Sequence, residues 1–201
     1  MNNILLIGGY GAVGEGIRPF FNEHGYNVSL TSHNSFTGLK TDFDVVINLA
    51  ATTVDCELHK PNKYHQEVIT GNCLLPVEIL AEFLPKMRMR GYGRIIMMSS
   101  VFSDINIIGQ GVYSASKAFV DKLVKIAAIE NAQYGITVNS IQLGYMGIGM
   151  GRMDNESGHK AMSKIAMKRY CSMEELYRTI LYIIDTEYLT GQNIRLDGGI
   201  R

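Results

Sequence analysis

Short runs rich in Val, Ile and Leu alternate along the chain with longer stretches in which apolar residues recur at helical spacing. A continuous apolar run suits a strand buried on both faces, and the helical period suits an element lying against it. The alternation therefore predicts a parallel sheet covered on both sides. The predicted strands are Asn3 to Gly8, Asn27 to Thr31, Val45 to Ala50, Arg94 to Ser99, Thr137 to Gln142 and Asn193 to Leu196. Helices are predicted near Gly14 to His24, Tyr64 to Met89, Tyr113 to Tyr134 and Met173 to Asp185. Ser172 is placed to cap the last of these, with Glu174 and Glu175 in its first turn, where the helix dipole favours acids. Right-handed crossovers wind such units into an α/β fold with a doubly wound parallel sheet, which binds ligands at the carboxyl ends of its strands.

Composition narrows the partners. Among 201 residues, 19 Lys+Arg balance 19 Asp+Glu, so no basic excess exists to neutralise nucleic acid or an anionic membrane, and neither is expected as a partner. No repeat, charge block or Pro-rich linker divides residues 1–201, which reads as a single domain. Cys56, Cys73 and Cys171 are too widely spaced for a zinc site and odd in number, so they are expected to be reduced and buried in a cytoplasmic protein. The run Ile4 to Ile7 is too short for a signal segment or a membrane span. No metal is expected: His59 and His65, six apart, share no helical face and have no nearby cysteine.

The first strand leads directly into Gly8, Gly9, Tyr10, Gly11, Ala12, Val13 and Gly14 and then a helix, so GxGxxG can be read at Gly9, Gly11 and Gly14. Glycines there let the backbone turn tightly, approach a pyrophosphate and present helix N-terminal N–H groups to it. A glycine-rich turn without a ligand is the competing reading. The second strand ends in Ser32, His33 and Asn34, with no carboxylate to grip a ribose 2′-hydroxyl and repel a 2′-phosphate. NADP is therefore the expected dinucleotide, with NAD the alternative.

A second constellation follows. Ser99 and Ser100 end the fourth strand, and Tyr113 and Lys117 open the next helix four residues apart, on one helical face. An ammonium beside a phenol stabilises the phenolate, as an oxidised nicotinamide would, and both are expected to lower the Tyr113 pKa toward working pH. Ser100 is placed to hydrogen-bond a substrate carbonyl oxygen.

These segments, in this order, resemble the short-chain dehydrogenase/reductase family, whose domain is a Rossmann fold. Gly8 to Gly14 is similar to its cofactor loop, and Ile47-Asn48-Leu49-Ala50-Ala51 to its NNAG strand end. Ser100, Tyr113 and Lys117 stand at the family separations. Asn139-Ser140-Ile141 with Gly144-Tyr145 resembles the strand and PG turn that follow, with Leu143 in place of proline. Tyr188 to Gln192 and Asp197-Gly198-Gly199 resemble the YxTGQ and DGG ending.

The resemblance implies Tyr113 as general acid/base, Ser100 as the group that polarises the carbonyl, and Lys117 as the ligand of the nicotinamide ribose. It adds Asn72 as the residue whose backbone carbonyl holds a relay water. Pro76 has no N–H to return to that carbonyl, so a kink is expected at Asn72. The implied cofactor contacts are Gly8, Gly9, Tyr10, Gly11, Ala12, Val13, Gly14, Ser32, His33, Asn34, Asn48, Leu49, Ala50, Tyr113, Lys117, Gly144 and Met146. A homodimer or homotetramer through the two long helices is also implied.

The sequence departs from the family in three places. Residues between His33 and Val45 are too few for the usual strand and helices, so the sheet is expected to lack its outermost strand. Thr41-Asp42-Phe43 is the candidate to keep an adenine contact. Residues 144–170 read as a substrate lid, where Met146, Met150, Met153, Met162 and Met167 suit either an adaptable pocket or gap-filling. Ile148 stands where the family often has a carboxamide-binding threonine. Arg88, Arg90 and Arg94 read as a solvated face near a helix end. Two functions result: hydride transfer between NADP(H) and the carbonyl or secondary alcohol of a small substrate, or a non-catalytic dinucleotide-binding regulatory protein on the same fold.

Overall fold

The structure is a computed structural model and describes residues 3–39, 42–148 and 162–200. Its elements in chain order are β1 (Asn3–Ile7), α1 (Ala12–Glu23), β2 (Asn27–Thr31), β3 (Val45–Asn48), α2 (His65–Ile69), a π turn (Thr70–Leu74) and α3 (Leu75–Arg90). Then come β4 (Gly93–Ser100), α4 (Gly111–Asn131), β5 (Ile136–Leu143), α5 (Met173–Asp185) and β6 (Asn193–Leu196). The strands pair in parallel in the order β2-β1-β3-β4-β5-β6. Chain direction across the sheet reverses between β1 and β3, and the crevice outside their carboxyl ends is where this topology binds ligands.

Successive residues of each strand face opposite layers, which is why the strands read as unbroken apolar runs. Leu5, Ile7, Val46, Ile95, Met97 and Val138 pack under α3 and α4 with Ile79, Phe83 and Val124. Their neighbours Ile4, Leu6, Val45, Ile47, Ile96 and Ile141 pack under α1 and α5 with Ile17, Phe21, Ile180 and Ile183. The Ser172 side chain and Glu175 form a reciprocal capping box at the start of α5. The helical stretch His65–Arg90 is long and apolar enough to cross a bilayer by composition. Its apolar stripe, including Ile79, Leu80, Phe83 and Met87, lies instead in the core.

Between β2 and β3, an aromatic plug stands where the outermost strand was expected to be missing. Phe36 and Phe43 each bring a ring centroid to 6.4 Å from Phe83 of α3. The backbone N–H of Gly38 donates to Glu82, and Asp42 pairs with Arg90 at 3.0 Å. This corrects the expectation of an adenine contact there: Phe43 is buried in the core, Asp42 faces Arg90, and Thr41 lies outside the described residues.

Arg94 also differs from its reading as a solvated residue. It lies inside β4, 3% exposed, and its guanidinium donates to the carbonyls of Ile184, Gly93 and Gly135 while stacking 4.4 Å over Tyr92. A planar five-donor fork can tie a strand start to two neighbouring turns at once, which a solvated ammonium cannot. The three cysteines are free and half-buried rather than fully buried.

Candidate active site

The glycine loop closes the end of β1. The N–H groups of Gly8 and Gly9 both donate to the Thr31 carbonyl at the end of β2, and Gly11 donates back to Gly8. Gly8 has φ +75, and a Cβ there would stand 2.8 Å from the backbone of Ala50. A Cβ on Gly14 would stand 2.3 Å from the Gly9 carbonyl. Only glycine lets this turn close against both β3 and its own helix. Gly11, Ala12 and Tyr10 face outward, Val13 is half-buried, and the N-terminal N–H groups of α1 open toward the crevice without a side-chain cap. That cradle fits a dinucleotide pyrophosphate. Asn48 is buried at the end of β3 and turns its Oδ1 back to the Ala50 N–H, with Leu49 bonded to Ile7, so Asn48, Leu49 and Ala50 form the adjoining wall. Ser32 shares a hydroxyl hydrogen bond with Ser35, while His33 and Asn34 are exposed.

The catalytic candidates come from three elements. α4 buries one stripe, and that stripe carries Tyr113, Ser116, Lys117, Val120, Asp121 and Val124 inward. Its polar members fall at the carboxyl end of the sheet, beside Ser100 at the end of β4. The Tyr113 phenol is hydrogen-bonded to the Ser100 hydroxyl. Ser100 in turn accepts from the Phe102 N–H at 3.2 Å, which frees its own proton to be donated. Lys117 donates to the Met98 carbonyl at 2.8 Å, and its ammonium lies 5.7 Å from the Tyr113 ring centroid.

Electrostatics here differ from the sequence expectation. Burial pushes the Tyr113 phenol up from its ordinary value, and the Ser100 hydrogen bond works against that rise. Burial also pulls Lys117 down to about 8, with the charges of Asp121 and then Cys73 opposing the fall. The phenol is thus neutral at pH 7, and its hydroxyl partner rather than the ammonium is the main influence favouring its ionisation.

Asn72 is buried inside the π turn rather than at a simple proline kink. Leu75 reaches back five residues to the Thr70 carbonyl, and the wider turn accommodates Pro76 at the start of α3. The Asn72 side chain accepts from the Thr52 N–H and donates to the Thr52 carbonyl, both at 2.8 Å, and donates to Ser116 at 3.0 Å. Ser116 in turn donates to the Tyr113 carbonyl at 2.7 Å. Sequence reasoning missed Ser116 and Thr52. Ser116 stands three residues after Tyr113 on the same face, and that spacing was the available signal. It also missed Phe102 and Tyr145, whose rings stack edge-on in series with Tyr113 at 6.3 and 5.9 Å.

Gly144 donates to the Leu196 carbonyl and has no room for a Cβ beside Asp197. Met146 is buried and bridges to Cys171. Met167 is exposed, and Met150 and Met153 lie outside the described residues, as does 149–161 of the expected lid. Ile148 is partly exposed. An open hollow of about 290 Å3 lies between residues 57–59 and 107–111, walled by Leu58, Ile107 and Ile108 and ending at Gly111, two residues before Tyr113. Among the described residues no group of three or more His, Cys, Asp or Glu side chains is placed to hold a metal.

Known proteins share this arrangement. The family model described as Enoyl-(Acyl carrier protein) reductase matches residues 31–201. An acetoacetyl-CoA reductase of Allochromatium vinosum is 33% identical over 161 residues, covering 78% of this chain and 65% of that protein. A 3-oxoacyl-[acyl-carrier-protein] reductase FabG of Buchnera aphidicola is 33% identical over 165 residues, covering 80% and 68%. The chain thus spans about two thirds of the length of these curated relatives. Among solved structures, a 3-oxoacyl-[acyl-carrier protein] reductase from Brucella melitensis superposes with TM-score 0.88 at 19% identity, over 99% of this chain and 91% of that one. The structure titled ElxO with NADP Bound gives 0.87 at 21% identity over 99% and 98%. With six parallel strands in this order and a family model matched from the second strand to the last residue, the chain belongs to the short-chain dehydrogenase/reductase family.

Proposed function

We propose that the chain reduces the carbonyl of a small substrate, or oxidises the matching secondary alcohol, with NADP(H), and does so in the cytoplasm. The observation that carries this reading is the meeting of Ser100, Tyr113 and Lys117 beside a glycine cradle that no Cβ could enter. Gly8 to Gly14, Asn48 to Ala50, Gly144 and Met146 hold the dinucleotide, which when bound supplies the hydride. Ser100 donates to the substrate oxygen, Tyr113 gives that oxygen a proton, and Lys117 holds the ribose hydroxyls. Asn72 offers its backbone carbonyl, which Pro76 cannot bond, to a relay water. The lid is residues 144–170.

NADP is favoured over NAD because Ser32 to Leu39 contains no carboxylate to repel a 2′-phosphate. A β-ketoacyl thioester heads the substrate list, since relatives at 33% identity are named for such substrates and the hollow beside Gly111 is walled by aliphatic side chains. NADPH oxidation followed with acetoacetyl-CoA and a panel of ketones tests the reaction. Nucleotide binding with no turnover across the panel would leave the regulatory alternative standing. In a thermal-shift titration, NADPH should raise Tm more than NADH; a tenfold preference corresponds to about 1.4 kcal/mol, or ~3–5 °C for a chain of this size.

Assembly follows from the surface of the long helices. Leu74, Val77, Phe119, Ile126 and Ile129 are exposed on the π turn, α3 and α4, Ile129 by 78%. A homodimer or homotetramer that covers these helices accounts for them. Light scattering at micromolar concentration should give a multiple of the 22.3 kDa chain mass, and a monomer would refute this arrangement.

A further inference from the structure

The seam between α4 and the sheet changes character along its length. Toward the C-terminus of α4 it is apolar, with Val124, Ala127 and Ala128 against Ile95 and Val138. At the catalytic end it is polar and buried. Asp121, 6% exposed, stands one helical turn after Lys117, as Lys117 stands one turn after Tyr113. Both Asp121 carboxylate oxygens are occupied: the Ser140 hydroxyl donates to one and the Gln142 amide to the other, each at 2.8 Å.

Gln142 does more than satisfy that carboxylate. Its Nε2 also lies 2.9 Å from the Ser103 hydroxyl and 3.0 Å from Asp104, three and four residues beyond Ser100. Gln142 is the β5 partner of Ser99, whose own hydroxyl donates to the Lys117 carbonyl at 3.3 Å. One carboxylate therefore links α4, β5 and the turn that follows Ser100. Burying such a network in place of an apolar seam is costly unless every member is satisfied, and what it confers is a fixed geometry.

We propose that Asp121 is a positioning residue for the Ser100–Tyr113–Lys117 group: through Gln142 it locks the Ser100 turn to α4, and its charge is the buried counterpart of the Lys117 ammonium. This rests on the oxidoreductase reading for its consequence in turnover, but not for its electrostatic part. The charged or titratable groups around Lys117 are Asp121 and Tyr113 from α4 and Cys73 from the π turn, with the Met98 carbonyl from β4. Asp121 contributes the largest opposing influence on the depressed ammonium.

The test uses the full chain with Asp121→Asn and Gln142→Leu. Lys117 ionisation is followed by NMR of 13Cε-lysine-labelled protein, its resonance assigned by its loss in Lys117→Met, and kcat is measured against pH with NADPH and acetoacetyl-CoA. Asp121→Asn should move the Lys117 titration down by about one pH unit, and the alkaline limb of kcat with it. Gln142→Leu keeps the charge and breaks the brace, so kcat should fall about tenfold across all pH while the Lys117 titration stays in place. An unmoved Lys117 titration in Asp121→Asn, or wild-type kcat in Gln142→Leu, overturns the proposal. Absence of turnover in the wild type counts against the oxidoreductase reading alone, because the NMR titration still decides the charge pairing. Should Asp121→Asn fail to fold, the double variant with Lys117→Met decides: paired charges predict that it folds, and an unfolded double variant overturns the pairing.

Discussion

Tyr113→Phe should lower kcat by about 10²- to 10⁴-fold, the usual contribution of a positioned general acid or base. The substitution deletes one hydroxyl and leaves the ring stacked edge-on against Phe102 at 6.3 Å. The hydrogen bond lost is the one shared with Ser100, whose oxygen keeps its Phe102 N–H donor. That loss costs about 1 kcal/mol, so Tm should fall by no more than ~2–4 °C. A buried phenol with a raised pKa also sets the sign of the pH dependence. In the reductive direction Tyr113 must hold its proton, so wild-type ketone reduction should persist through neutral pH and decline on the alkaline side. In the oxidative direction it must first give the proton up, so alcohol oxidation should rise with pH. Steady-state rates of both reactions between pH 6 and 10 check this. A Tyr113→Phe protein within a fewfold of wild type would remove Tyr113 from the chemistry.

What the sequence made legible was whatever repeats with a local period. The six strands and the stripe of α4 are encoded in runs and spacings, and the strand positions agree to within a residue or two. Tyr113 and Lys117 were visible because four residues make one helical turn, and Gly14 because its turn leaves no room for a Cβ. Groups that meet only through tertiary structure were not legible. Arg94 looked like one more surface cation because nothing local marks the carbonyls of Gly135 and Ile184 that surround it. Phe36 and Phe43 plug the truncated side through a contact with Phe83 some forty residues away. The direction of the Tyr113 shift was misjudged because burial is a property of the whole fold, and it outweighs what a neighbouring ammonium suggests from spacing alone.

Lys117→Met should abolish turnover to at least about 10²-fold below wild type without weakening the fold at pH 7. The ammonium is 2% exposed and its pKa is held down at about 8 against 10.5 for a free lysine. Since the folded value lies below the unfolded one, the unfolded chain binds more protons between pH 8 and 10.5, and this group makes stability rise with pH across that window. Below pH 8 the full burden of a buried charge is present, about 3 kcal/mol by the size of the shift. Removing the charge relieves that burden but leaves the Met98 carbonyl without its 2.8 Å donor, a loss of about 1–3 kcal/mol. The two nearly cancel at pH 7, so Lys117→Met should melt at or slightly above the wild-type temperature there. Its advantage should then turn into a deficit as pH approaches 10, because only the wild type gains from deprotonation. Denaturant melts of both proteins at pH 7 and pH 10 measure the difference, and parallel pH profiles would show that Lys117 does not carry a buried charge. A group that the fold would be no worse without, standing beside a phenol and a serine hydroxyl, is held there by the demands of the reaction rather than of folding.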